Sequence, residues 1–402
     1  MTDHPRSDPV AADAAVAAAH GPRRLRIAVL SRNFSSAGGG AEGYSVALVE
    51  QLAQRHEIHV FAQHVAHAWP GVQYHRIAEP LRRPRWINQL WYALATWQAT
   101  RSGFDLVHSH ELTWHGQVQT VHVLPLRHNL FHGLHGAGLW LRRFKVWSSP
   151  RLLAYLWLES RRLRPLPSRR IVLTAPGLRP VLEACYPASS ESLRVITPGV
   201  HLPGPVADAQ DRSRARQALG LPASGRCVLL VGNDYRKKGL GTMIEALAEL
   251  PADVWLAVVG NPAQQAQFAA QARGAGVGSR VHFLGSLRDM APAYRAADCL
   301  AHPTREDTFA MVVLEAMAHG LPVLVSGPRH CGIAELLSDG VDALLLPDPT
   351  DAAALAQALR RLLDDEPLRA ALGQRARAFA AQRSWQRAAR EQELLYFEVA
   401  GN

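Results

Sequence analysis

The chain has 402 residues, 48% hydrophobic and 19% charged, with 44 Lys and Arg against 34 Asp and Glu for a net charge of +10. That length and apolar content support two domains with separate cores and exclude a disordered chain. Every long apolar run is broken by Arg, Gln or Glu, which excludes a bilayer-spanning helix.

The basic excess lies in the first half: 23 Lys and Arg against 12 Asp and Glu up to residue 200, and 21 against 22 beyond it. Charge alone fits nucleic acid or an anionic lipid surface equally well. Cys185, Cys227, Cys299 and Cys331 are scattered without C-x-x-C spacing, as expected for reduced thiols in a cytoplasmic protein.

In chain order, residues 1–23 read as a flexible tail, because Asp interrupts the alanine run and no signal-peptide core follows. LRIAVLS, EIHVFAQ, FDLVHSH, VQTVHVL, RRIVLTA and LRVITPG are short strand-like runs. Segments with helical spacing such as YSVALVEQLAQR lie between them. They make up a first domain over 24–200. Residues 201–224, rich in Pro and Gly, read as a linker, and the same alternation resumes over 225–377 from CVLLVGN to ALLLPDP. Residues 378–402 hold a last helix that must dock, and the first domain is its expected partner. Strands alternating with helices predict two Rossmann-like α/β domains with parallel sheets facing an interdomain cleft. Ligands are then expected beyond the carboxyl ends of the strands.

The first strand leads into SSAGGGAEGYS, where Gly38, Gly40 and Gly43 spell G-x-G-x-x-G. A dinucleotide site needs the first glycine directly after the strand and an acid near the end of the next one. Here RNFSSA intervenes and Gln63 ends the second strand, so hydride transfer is excluded. Gly39 and Gly40 open a helix and either bring their amides to a phosphate or form a plain turn.

In the second domain, CLAHPTREDTFAMVVLEAMAHGLPVLVSG places Asp307 at a helix start near Thr308 or Phe309, with Glu315 eight residues on. On a continuous helix the two carboxylates stand about 12 Å apart, the span of a nucleotide sugar from hexose to ribose. The plainer alternative makes Asp307 an N-cap and Glu315 a solvated residue, yet Glu315 sits inside the apolar VVLEAMA. Upstream, VGNDYRKKGL crowds Arg236, Lys237 and Lys238 after a strand. They are either a diphosphate counter-charge or a basic surface turn.

Taken in order, GGAE, FDLVHSH, ITPGV, VGNDYRKKG, VVGNP and D-x7-E followed by AMAHGLPV resemble the retaining family 4 glycosyltransferases of the GT-B fold, most of all those of the lipopolysaccharide core. The resemblance implies that Glu315 binds the ribose hydroxyls, and that Asp307 holds the transferred sugar. It puts Lys238, assisted by Lys237, on the diphosphate together with the amides of Thr308, Phe309 and Ala310. Gly39 and Gly40 approach from the other domain, and His122 faces the sugar. Two departures stand out. Asp307 replaces a glutamate, and Asn233 stands where many members carry an arginine, for which Arg236 or Lys237 would compensate.

The implied reaction moves a hexose from a nucleoside-diphosphate sugar to an acceptor hydroxyl with retention, and without a metal or other cofactor. His108 and His110 alternate on a strand and could share a zinc ion, but no further ligand falls at a suitable spacing. Residues 124–170 carry ten Lys and Arg against the single acid Glu159, interleaved with aromatics. Arg142, Arg143, Lys145, Trp140 and Trp147 are the expected face toward an anionic lipid-anchored glycan on the inner side of the cytoplasmic membrane. The alternative is core-packing helices with a solvated basic side. Nucleic acid is not an expected partner. Rival functions are a GT-B-fold nucleotide-sugar 2-epimerase and a non-catalytic nucleotide-sugar or RNA binder.

Overall fold

The computed structural model describes residues 23–35, 40–81 and 83–401. Gly38, Gly39 and all but Arg23 of the expected tail lie outside them. The chain divides into two compact units, one of Met1–Thr174, Leu178–Ile196 and Trp385–Asn402, the other of Ala175–Gly177 and Thr197–Ser384.

The first unit holds β1 (Arg26–Leu30), a short pair β2 (Asn33–Phe34) and β4 (His64–Val65), and β3 (Glu57–Ala62) and β5 (Val72–Arg76). β6 (Leu106–Ser109), β7 (Val118–Val121), β8 (Arg170–Leu173) and β9 (Leu193–Val195) complete it. Its helices are α1 (Gly40–Leu52), α2 (Arg85–Thr100), α3 (Leu126–Phe131), α4 (Gly136–Trp147), α5 (Pro150–Arg162) and α6 (Leu178–Cys185). Seven strands form a parallel sheet in the order β5-β3-β1-β6-β7-β8-β9. Ile27, Ala28, Val29 and Leu30 are all buried, as a parallel strand covered on both faces requires. The order reverses between β1 and β6, so the carboxyl ends of those two strands border the switch point and β7 is the next strand out. The C-terminal helix Trp385–Ala400 packs on α1 in this unit, with Tyr396 fully buried and Glu393 bonded to His56 at 2.9 Å. Glu159, the lone acid of the basic stretch, accepts from the Leu126 and Arg127 amides that open α3 and from the Tyr186 hydroxyl.

The second unit contains α7 (Ala209–Ala218), β10 (Arg226–Val231), α8 (Leu240–Glu249), β11 (Val254–Val259), α9 (Gln265–Gly274) and β12 (Val281–Gly285). There follow α10 (Ala291–Ala296), β13 (Cys299–His302), α11 (Met311–Ala318), β14 (Val323–Ser326), β15 (Leu344–Leu346), α12 (Ala352–Asp364) and α13 (Glu366–Ala381). Its six-stranded parallel sheet runs β12-β11-β10-β13-β14-β15, reversing between β10 and β13. The stretch 201–224, read above as a linker, carries α7 and belongs to this unit. A capping box of Asp208 and Asp211 starts that helix, and buried Arg216 ties it to Asp298 at 2.9 Å.

The helix expected from Thr308 or Phe309 begins only at Met311, after Ala310 in the left-handed region at φ 66°. Residues 307–309 are held in another partnership. Asp307 N–H donates to His330 O, Gly332 N–H to Asp307 O and Ile333 N–H to Phe309 O. A helical rise therefore covers only Met311–Glu315, about 6 Å, and the 12 Å span from a continuous helix does not apply.

Candidate functional site

The turn after β10 and the loop after β13 meet at the sheet's switch point. Gly232 makes the first approach possible, because a Cβ there would collide with the Lys238 side chain. Gly239, at φ 75°, lies so close to Pro303 O that no side chain fits. Lys238 Nζ forms an ion pair with Asp307 Oδ2, both side chains being less than one-fifth exposed (19% and 18%). His302 Nε2 is 3.1 Å from the same oxygen, and the Ala310 N–H donates to Oδ1 at 2.9 Å. Burial pushes the Asp307 carboxyl upward, but the His302 hydrogen bond and the Lys238 charge outweigh it and hold the group well below the carboxylate range. For His302, burial outweighs the pull of Asp307 and lowers the imidazole.

The Ala310 amide is thus engaged by Asp307 and is not available to a ligand, a correction to the three-amide expectation. The N–H groups of Thr308 and Phe309 donate to no acceptor among the described residues. Those of Met311 and Val312 sit where a helix start leaves donors without intrahelical acceptors.

Glu315 is reached by the Tyr294 hydroxyl, which donates to Oε2 at 2.7 Å. Burial raises this carboxyl and the Tyr294 bond opposes the shift. Asn233 uses its Oδ1 to accept from Asn261 N–H at 3.2 Å, joining the loops after β10 and β11. Its role is therefore at least partly structural. Lys237 is exposed and paired with Glu306 at 3.2 Å, while the Arg236 side chain is exposed and makes no ion pair with a described residue.

His302 and Tyr294 were not singled out in the sequence. A histidine ending a buried strand at its carboxyl end is a usable signal for His302. For Tyr294, 21 residues before Glu315 on another helix, there is none.

In the first unit Gly40 is the exposed first residue of α1. His122, just beyond β7, lies with Nε2 3.1 Å from His110 Nδ1, and the Tyr44 ring meets it edge-on at 5.1 Å. His108 has both ring nitrogens engaged, by the Tyr396 hydroxyl at 2.5 Å and the Thr120 hydroxyl at 2.6 Å. That occupies the lone pair a zinc ion would need. Burial, then neighbouring positive charge, brings His108 and His122 down to about 3. Both are neutral at ordinary pH.

α4 presents Trp140 (74% exposed), Leu141, Phe144 and Trp147 (73% exposed) to solvent, with Val146 its sole buried hydrophobic residue. Arg143 and Lys145 are exposed on the same helix, and Arg142 is half-buried. α4 is therefore no core-packing helix. α2 adds exposed Trp91, Leu94 and Trp97. No helix among the described residues is long and apolar enough to cross a membrane.

Two family models match, "Glycosyltransferase Family 4" over residues 38–202 and "Glycosyl transferases group 1" over residues 211–379. The lipopolysaccharide glucosyltransferase WaaG of Escherichia coli (strain K12) is 33% identical over 201 residues, 48% of this chain and 53% of that protein. A D-inositol 3-phosphate glycosyltransferase of Xylanimonas cellulosilytica is 35% identical over 214 residues, 51% of each. The chain thus spans about half the length of the curated relatives it matches. Among solved structures, WaaG superposes with a TM-score of 0.77 at 23% identity, covering 92% of this chain and 98% of that one. Anabaena HepE in complex with UDP-glucose does so with 0.71 at 20% identity, over the same shares. Residues 38–202 thus carry a Glycosyltransferase Family 4 domain and residues 211–379 a Glycosyl transferases group 1 domain, each on a parallel sheet of the GT-B type seen in WaaG, and the chain is a glycosyltransferase.

Proposed function

We propose that this protein moves a hexose, with retention and without a metal, from a nucleoside-diphosphate sugar to a lipid-linked or lipopolysaccharide-type glycan at the inner face of the cytoplasmic membrane. The observation that carries the reading is the Lys238–Asp307 pair at the switch point, next in the chain to the Thr308 and Phe309 amides that donate to no described acceptor, with Glu315 further along α11. Lys238 and those amides are donors suited to the charge that grows on a departing diphosphate. Asp307 and Glu315 are acceptors suited to hydroxyls at its two ends. UDP-glucose bound to HepE and the lipopolysaccharide role named for WaaG support the donor and acceptor classes.

His122, neutral and half-buried, would offer a hydrogen bond rather than a proton. For the acceptor side, the aromatic and basic surface of α4 suits a membrane interface carrying anionic headgroups.

The test is incubation of the purified chain with a panel of nucleotide sugars, with and without a lipopolysaccharide-type acceptor. Transfer only when acceptor is present supports the proposal. Conversion of the donor alone to a 2-epimer, or binding without turnover, replaces it with one of the rival functions. Flotation with anionic and neutral liposomes tests the membrane face. Binding that needs anionic lipid and weakens with salt is expected, and binding indifferent to both removes this part of the proposal.

A further inference from the structure

His302 ends β13 with its side chain inaccessible to solvent. Its Nε2 faces Asp307 Oδ2 at 3.1 Å, and its Nδ1 is buried with no hydrogen-bond partner among the described residues. These facts select a tautomer. With the proton on Nε2 the ring donates to a carboxylate and leaves only a bare acceptor unmatched. With the proton on Nδ1 a lone pair would face the carboxylate and a donor would be orphaned, which is the costlier arrangement.

A carboxylate offers about four lone-pair positions. On Asp307, Lys238 and His302 occupy Oδ2, and the Ala310 N–H takes one position on Oδ1. One position on Oδ1 stays open. If Lys238 turns toward an arriving diphosphate, His302 becomes the sole side chain still holding Oδ2. An aspartate has no spare methylene with which to find its own aim.

We propose that His302 is a positioning residue, keeping the Asp307 carboxylate aimed at the transferred sugar while Lys238 serves the diphosphate. This rests on the donor-site reading above. His302 touches neither substrate nor reacting atom; it acts through Asp307.

His302→Gln places an amide donor near the original Nε2, whereas His302→Leu keeps bulk and removes the donor. Expected for the leucine variant is a fall in kcat of about tenfold to a hundredfold, with affinity for UDP or GDP, whichever binds the wild type, within about twofold. The glutamine variant should recover most of kcat. Wild-type kcat in the leucine variant, or equal damage in both variants at matched melting temperature, overturns the proposal.

Should the leucine variant fail to fold, 15N spectra of histidine-labelled wild type decide. The His302 resonance, assigned by its loss in His302→Gln, should report a proton on Nε2 and a bare Nδ1. The reverse tautomer sinks the idea. Absence of any nucleoside diphosphate binding by the wild type would instead strike the donor-site reading, and the tautomer would still test the His302–Asp307 contact.

Discussion

Asp307→Asn should abolish transfer and at the same time tighten the binding of the nucleoside diphosphate. Lys238 is paired with Asp307, so a diphosphate bound as proposed would compete with that carboxylate for the ammonium group and feel its negative charge. Two unit charges about 4 Å apart interact by about 4 kcal/mol at an effective dielectric constant near 20. Because both side chains are under one-fifth exposed, only part of this is recovered by solvating the freed ammonium. A net gain of about 1.4–2.8 kcal/mol remains, which is ten- to hundredfold in Kd.

The asparagine keeps an oxygen for the Ala310 N–H, while its amide nitrogen turns a donor toward His302 and Lys238 in place of the acceptor they now share. The assay is calorimetric titration with UDP and GDP for wild type, Asp307→Asn, Lys238→Met and the double variant, at two salt concentrations. Leaving Lys238 unpaired should also lower the Tm of the empty protein and enlarge its rise on adding the diphosphate. Unchanged or weaker binding by Asp307→Asn would refute the reasoning. So would an equal gain in the Lys238→Met background, since the gain would then owe nothing to the ion pair.

Tyr294→Phe removes the hydroxyl that donates to Glu315 and should raise the donor KM about tenfold with kcat nearly unchanged, as read from initial rates over a range of donor concentration. His108 and His122 have folded-state values of about 3, below the unfolded value near 6.5. Their contribution is complete above pH 6.5 and is lost as pH falls from there toward 3. Each removes about 2 kcal/mol between pH 6.5 and 5, so urea melts should show a steep acid-side loss that His122→Asn reduces by about that amount.

The strand runs, the helical spacing and hence two parallel sheets were legible because a parallel strand buried on both faces must be apolar throughout, as in RIAVL and VWLAVV. Lys238, Asp307 and Glu315 stand out as candidates in the sequence because each lies at a fixed distance from such a run. α7 was hidden. AQDRSRARQA has almost no apolar face, and the buried Arg216–Asp298 pair supplies much of what a hydrophobic stripe would have done. The late start of α11 was equally invisible, since Asp307 and Phe309 are held by residues 330–333, and no local propensity reports a partner more than twenty positions away. Asn233 looked like a missing arginine until its bond to Asn261 gave it work between two loops.

The two acids flanking the start of α11 are held in opposite electrostatic states. Asp307 has a cation, an imidazole and a backbone amide on it, so its charge is fixed and only one lone pair is left to recognise anything. Glu315 has burial against its charge and one phenol in its favour, so its ionisation is costly until a ligand brings more donors. A carboxyl of the first kind suits a place where geometry must not change while a bond breaks next to it. One of the second kind suits a remote anchor, since hydroxyl donors that satisfy it bring its pKa back down and binding there draws on that relief. On the proposed reading the carboxyl environments match the two ends of the donor: the rigid acid would stand with the bond that breaks, and the adjustable one with the part of the donor that leaves unchanged.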